Sequence, residues 1–130
     1  MKIMIVDDCQ TTRRLLGIYL KSRGFEPVFA ENGIEALEKL ATNQVNFVFT
    51  DLNMPYMDGI EFLRNLRADP GLATLPVVMV TTEADTEEKE RAFAAGANAY
   101  MVKPVTAEMV INSIKRILKE FFDKGGVSHV

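Results

Sequence analysis

Three carboxylates, a threonine and a lysine recur at comparable places along this chain, each at or just after the end of a short apolar run. Asp7 and Asp8 follow Met1 to Val6, Asp51 follows Val45 to Thr50, Thr81 closes Pro76 to Thr81, and Lys103 follows Asn98 to Val102. Short apolar runs that stop at Asp, Pro or Gly read as strands of a parallel sheet buried on both faces, and such sheets bind ligands where their strands end. Singly, each acid is best read as a turn cap. Together they place polar groups at the ends of four of five expected strands, and uncompensated carboxylates persist in a cluster only with a cation or hydrogen-bond donors.

Phosphoryl transfer to a carboxylate would give each group a task. Asp51 would be the nucleophile. A hard divalent cation such as Mg²⁺ would bridge Asp8, Asp51 and a phosphoryl oxygen, with Asp7 orienting its waters. Lys103 would bring a mobile positive charge, and Thr81 a hydroxyl donor, to the other phosphoryl oxygens.

The elements between these residues alternate strictly. After the Asp7-Asp8 turn, Thr11 and Thr12 offer an N-cap to a helix with Leu15, Leu16, Ile18, Tyr19 and Leu20 as its stripe, ended by Gly24. Glu26 to Ala30 reads as a strand, and a helix near Asn32 turns Ile34, Leu37, Leu40 and Ala41 inward. A helix from about Asp58 to Arg67 buries Ile60, Leu63 and Leu66, and Asp69-Pro70-Gly71 makes the loop to the fourth strand. Asp85 and Glu88 have capping-box spacing before a charged helix over Thr86 to Ala95, whose anchors are Ala92 and Phe93. That helix is expected to be the most weakly held. Thr106 caps a last helix carrying Val110, Ile111, Ile114, Ile117, Leu118 and Phe121. Such βα alternation predicts an α/β fold, a parallel sheet sandwiched by helices.

Composition narrows the function classes. At 130 residues, 48% hydrophobic and 25% charged, the sequence fits one globular domain, without room for a separate effector domain. A net charge of -3 and a pI near 5.2 argue against a nucleic-acid partner. No signal peptide and no apolar run of about 18 residues is visible, so no membrane contact and a cytoplasmic location are expected. Cys9, the single cysteine, excludes an intrachain disulfide; the acids beside it disfavour a thiolate, so it reads as a plain loop thiol. His129, the one histidine, lies in a glycine-containing terminal segment where fraying is expected, which removes histidine catalysis.

The acid pair Asp7-Asp8, Asp51 with Met54-Pro55-x-Met57-Asp58-Gly59 behind it, Thr81, Tyr100 and Lys103-Pro104 together resemble the receiver domain of two-component response regulators. The likeness spans about residues 1 to 122, leaving 123 to 130 as a flexible tail. It implies a doubly wound, flavodoxin-like five-stranded sheet of order 2-1-3-4-5, helices on both faces and a cis Lys103-Pro104 bond that helps aim the lysine; a chemotaxis response regulator is a standard example of that order. It further implies that Asp51 is the phosphoacceptor and that Asp7 and Asp8 form the acidic pocket. The Asn53 backbone carbonyl would be a further Mg²⁺ ligand, and Thr81 with Tyr100 the switch pair.

Asn53, Thr82 and Glu83 fall on the family's variable site-modulating positions, and the Asn/Glu combination resembles chemotaxis-type single-domain regulators. Thr82 is bulkier than the alanine or glycine common there, which leaves open how fast water reaches the phosphoryl group. The implied partners are a sensor histidine kinase or phosphotransfer protein upstream, and downstream a protein target at the face of the fourth helix, fifth strand and fifth helix. The implied role is a self-catalysing switch rather than a metabolic enzyme. For Tyr100 the plain alternative is a core ring with a wet hydroxyl.

Three other readings compete. A haloacid-dehalogenase-type Mg²⁺-dependent phosphatase also uses an aspartate after a strand, but wants a second aspartate where this chain has Asn53. A flavin or nucleotide carrier lacks a glycine-rich phosphate loop after the first strand, where Asp7-Asp8-Cys9-Gln10 would repel a phosphate. A receiver-like interaction domain that is never phosphorylated is the third.

Overall fold

The computed structural model describes residues 1–123. Strands β1 (Lys2–Val6), β2 (Glu26–Ala30), β3 (Phe47–Thr50), β4 (Val77–Thr81) and β5 (Ala99–Val102) alternate with helices α1 (Gln10–Lys21), α2 (Gly33–Leu40), α3 (Gly59–Ala68), α4 (Thr86–Ala94) and α5 (Ala107–Phe121). All pairings are parallel and the sheet order is β2-β1-β3-β4-β5. The Lys103-Pro104 bond is cis. Apart from Asp123 itself, the expected tail, with His129, lies outside the described residues.

Both sheet faces are covered, so the central strands carry apolar residues in both directions. Met4, Val6, Val48, Val77 and Met79 pack with α2 and α3 and reach Ala92 of α4, while Ile3, Ile5, Phe47, Phe49, Val78 and Val80 pack beneath α1 and α5. Side chains alternate along a strand, which assigns neighbours to opposite cores. Register then sets the functional edge: Val6 stands opposite both Thr50 and Ala30. Asp7 and Asp51, each the next residue on its strand, leave the sheet side by side.

The helices depart from their sequence patterns in instructive ways. In α1 the N-cap is Cys9, without a side-chain cap bond, and Thr11 and Thr12 lie inside the first turn. Leu16 and Leu20 are buried but Leu15 and Ile18 are 42% and 63% exposed, because the helix meets the protein along a narrow stripe where Gly17 abuts the Phe29 ring. Ile34 of α2 and Ala41 after it are likewise exposed, Gly33 and Ala36 are buried, and Leu37 and Leu40 pack partly buried against the core.

The anticipated core residues of α3 and α5 are buried as far as Ile117, whereas Phe121 is exposed. In α4 only Ala92 is buried, and Phe93 faces outward. Asp85 caps the helix, but no capping box forms: Asp85 accepts from the Glu87 amide rather than that of Glu88, and the Glu88 carboxylate turns away to Arg91 at 2.7 Å.

Arg67, at the end of α3, holds the opposite end of the sheet. Its guanidinium donates to the carbonyls of Ala73, Leu75 and Gly96 and to Asn98 Oδ1. Burial lowers its pKa. Gly96 has φ +111, and a Cβ there would lie 2.8 Å from Arg67 Nε, so both backbone and space call for glycine.

Candidate functional site

The ends of β1 and β3 bring three acids together: one carboxylate oxygen each from Asp7, Asp8 and Asp51 lies within 4.8 Å of the others. Asp7 and Asp51 are buried and Asp8 is exposed. Backbone donors fix the two buried groups. The Cys9 amide donates to Asp7 Oδ1 at 2.9 Å, and the Leu52 amide donates to Asp51 Oδ1 at 2.7 Å. Asp51 Oδ2 therefore faces the ammonium of Lys103, 3.5 Å away, while the same ammonium sits 2.8 Å from Asp7 Oδ2. One lysine thus spans two acids, with its shorter contact to Asp7.

The loop after Asp51 is closed by Gly59, whose amide donates to the Leu52 carbonyl at 2.7 Å. A Cβ at Gly59 would lie 2.2 Å from the Asp51 carbonyl oxygen, so only glycine lets α3 start against the acid's own backbone. Asp58 caps that helix by accepting from the Glu61 amide at 2.8 Å.

On the other side of the acids, Thr81 is fully buried and its Oγ1 accepts from the Glu83 amide at 3.3 Å. The Tyr100 hydroxyl donates to the Glu83 carbonyl at 2.6 Å, and Asn53 Nδ2 donates to the Glu83 carboxylate at 3.2 Å. Glu83 is therefore the node joining Asn53, Thr81 and Tyr100. Tyr100 is half-buried with its ring against the core, and its hydroxyl has a protein partner. Thr82 is exposed.

Electrostatics follow from this packing. Burial first, and the Asp7 charge second, push the Asp51 pKa above its ordinary value, with Lys103 and the Leu52 amide pulling the other way. Burial is the largest influence on Lys103 and acts downward, but the hydrogen bond to Asp7 and the two acidic charges outweigh it, leaving the ammonium raised. Tyr100 is also raised, by burial and then by Glu88, Glu83, Asp85 and Asp51. Cys9 departs from expectation: hydrogen bonds from the Thr12 side chain and backbone lower its pKa despite the Asp7 charge. It remains exposed at the helix start.

The donor set suits a hard divalent cation. It consists of carboxylate oxygens at the sheet edge with one acid exposed, and it contains no sulfur or imidazole. Asp7, Asp8, Asp51 and Lys103 thus converge as expected, with Thr81, Asn53, Glu83 and Tyr100 along the neighbouring rim. Sequence reading gave no task to Leu52, Gly59 or Arg13. Leu52 contributes only its amide, invisible as residue type; Gly59 was visible as part of the Met-Asp-Gly run; Arg13 reaches the Asp7 main chain across one helical turn.

This edge, on a sheet of this order, defines a receiver-type α/β protein, and the comparisons agree. Residues 3–115 match the response regulator receiver domain family. The chemotaxis protein CheY-3 of Vibrio cholerae is 44% identical over 120 residues, 92% of each chain. CheY of Pseudomonas aeruginosa is 44% identical over 120 residues, covering 92% of this chain and 97% of that one. The structure of CheY4 from Vibrio cholerae superimposes with a TM-score of 0.85 at 33% identity, over 89% of this chain and 97% of that one. The chain belongs to the response regulator receiver domain family. Membership supports a signalling switch over the phosphatase and nucleotide-carrier readings. No helix among the described residues is long and apolar enough to cross a membrane.

Proposed function

We propose that this receiver accepts a phosphoryl group on Asp51 from a phosphohistidine of a sensor histidine kinase or phosphotransfer protein, and so switches a protein-binding surface. The observation that carries this reading is the meeting of three carboxylates within 4.8 Å with a lysine 3.5 Å from Asp51. An Asp51 carboxylate oxygen attacks phosphorus, the O–P bond forms, the N–P bond breaks, and its electron pair returns to the donor imidazole. Asp51 suits the nucleophile's part because burial leaves its ionised form poorly solvated, while the Leu52 amide fixes the plane of its carboxylate. Lys103 can leave Asp7 for a phosphoryl oxygen, and Thr81 can turn its hydroxyl to another.

Mg²⁺, held by Asp8, Asp51 and the Asn53 carbonyl with Asp7 on its waters, would neutralise charge on the phosphoryl oxygens. The same residues would support self-catalysed phosphorylation from small donors and self-catalysed hydrolysis. Asn53, Thr82 and Glu83 would modulate how fast water reaches the phosphoryl group. The target would bind at α4, β5 and α5, where Phe93, Val102 and Met109 are exposed. The reading includes a cytoplasmic location and residues 1 to 122 as the receiver unit.

The test is incubation with Mg²⁺ and acetyl phosphate, followed by intact-mass and peptide analysis. One added phosphoryl group on the Asp51 peptide is expected, absent in Asp51→Asn. Labelling of Asp51→Asn at the wild-type rate would place the acceptor elsewhere, and no adduct at all would favour a non-phosphorylated interaction domain.

A further inference from the structure

We infer that Arg13, to which the phosphoryl-transfer reading gives no task, is a positioning residue for the acid pair and sets how tightly the pocket holds Mg²⁺; the inference rests on that reading. Arg13 lies in the first turn of α1, and its side chain folds back toward the strand end. Nη1 donates to the main-chain carbonyl of Asp7 at 2.6 Å, and Nη2 lies 3.7 Å from the Glu31 carboxylate. Its side chain is only 15% exposed, against 62% for Glu31.

The carbonyl it holds belongs to the peptide joining Asp7 to Asp8. Fixing that oxygen fixes the peptide plane, and with it the direction in which Asp8 leaves the chain. The remaining restraints act on Asp7: its amide donates to the Ala30 carbonyl at 3.1 Å, and its carboxylate accepts from the Cys9 amide. Asp8 is exposed, and among the described residues no hydrogen bond or ion pair engages its carboxylate, so its aim depends on the backbone. A guanidinium suits the task because its fork serves the carbonyl and Glu31 at once, tying the β1–α1 turn to the residue after β2.

Charge and position pull in opposite directions here. A cation beside an acid cluster weakens binding of a second cation, so if Arg13 acted only through charge, removing it would tighten Mg²⁺ binding. If it acts by aiming Asp8, removing it weakens binding, as loss of a residue behind a metal ligand does. The sign of the effect separates the two.

The experiment is calorimetric Mg²⁺ titration of unphosphorylated wild type, Arg13→Met, Arg13→Lys and Asp8→Ala, at low and high salt. Arg13→Met keeps an apolar stem without a donor and is expected to bind Mg²⁺ about tenfold more weakly, with the loss persisting at high salt. Arg13→Lys can still donate to the Asp7 carbonyl and should recover most of the affinity. In the Mg²⁺-free protein, exchange of the Cys9 amide, which donates to Asp7 Oδ1, should quicken in Arg13→Met while Ile3 to Val6 keep wild-type protection. Binding by Arg13→Met equal to or tighter than wild type, Arg13→Lys as weak as Arg13→Met, or unchanged exchange at Cys9 would each overturn the inference. Wild type without Mg²⁺ binding, or Asp8→Ala binding normally, would instead sink the metal reading itself and this inference with it.

Discussion

The two sides of the acid pocket are built to different stiffness. On one side, β1 and β3 lie in the middle of the sheet, Asp7 and Asp51 are buried, and each carboxylate is pinned by a backbone amide. Gly59 seats α3 directly against the Asp51 carbonyl. On the other side, Thr81 is buried, but the helix behind it is anchored by Ala92 alone, and Phe93 and Val102 face outward. At the pocket itself the two sides meet through polar contacts, Asn53 to Glu83 and Lys103 to Asp7 and Asp51, and Glu83 in turn ties Thr81 to Tyr100. Elements with few buried apolar contacts open at low free-energy cost, so they are the ones a switch can move. Under the proposed function, the difference implies a division of labour in which chemistry would stand on the rigid side and the signal would be read on the loose one.

The sharpest way to break this contrast is at Gly59. Gly59→Ala places a methyl 2.2 Å from a backbone oxygen that cannot move without shifting Asp51, and a loss of about 3 kcal/mol in unfolding free energy is expected by urea titration. A loss under about 0.5 kcal/mol, the range of ordinary surface substitutions, would show that this side yields easily.

Next in size is Thr81→Ala, which should still accept phosphate yet respond poorly. Moving a two-state equilibrium from 1:99 to 99:1 takes roughly 5.5 kcal/mol, and one charge-assisted hydrogen bond supplies about 1.5 to 3 kcal/mol, so the switch should be incomplete rather than dead. The affinity of a reporter peptide selected against the beryllofluoride-loaded protein reads this directly. A full wild-type gain in Thr81→Ala would move the coupling to the loop after Asp51.

The smallest effect is a rise in stability for Asp51→Asn. Because the folded pKa of Asp51 is raised, its ionised form costs stability above that value, and the cost fades as pH falls through the raised value toward the ordinary 3.8. The amide carries no such cost, and Lys103 keeps Asp7 at 2.8 Å. The urea midpoint of Asp51→Asn should therefore exceed wild type most clearly near neutral pH and converge with it in acid. A gap that widens in acid would contradict the burial of the charge.

The strand ends on both sides of the pocket were more legible in the sequence than the helix faces. Apolar runs ending in Asp7, Asp51, Thr81 and Lys103 located the sheet edge, since a strand buried on both faces leaves an unbroken run. Sheet order and the cis bond came through resemblance, not through residue pattern. Legibility fell where a contact depends on which stripe of a helix meets the protein. Leu15, Ile18 and Ile34 fit the 3.6-residue period as well as their buried neighbours, and only the packing of α1 on Phe29 and α5, and of α2 on α3, decides among them. Glu88 has capping-box spacing, but Arg91, three residues on, competes for it more closely. Long side chains were opaque for a similar reason: most hydrogen bonds of Arg13 and Arg67 go to main-chain carbonyls, which leave no mark on residue type.

The division of labour is tested most directly by residue-resolved amide exchange with and without Mg²⁺ and beryllofluoride. Outside the loops that touch Asp51, protection should change in Thr86–Ala94 and Tyr100 to Lys103 and stay constant in Lys2–Val6 and Phe47–Thr50. Changes of equal size in β1 and β3, or constant protection across α4 and β5, would contradict the account.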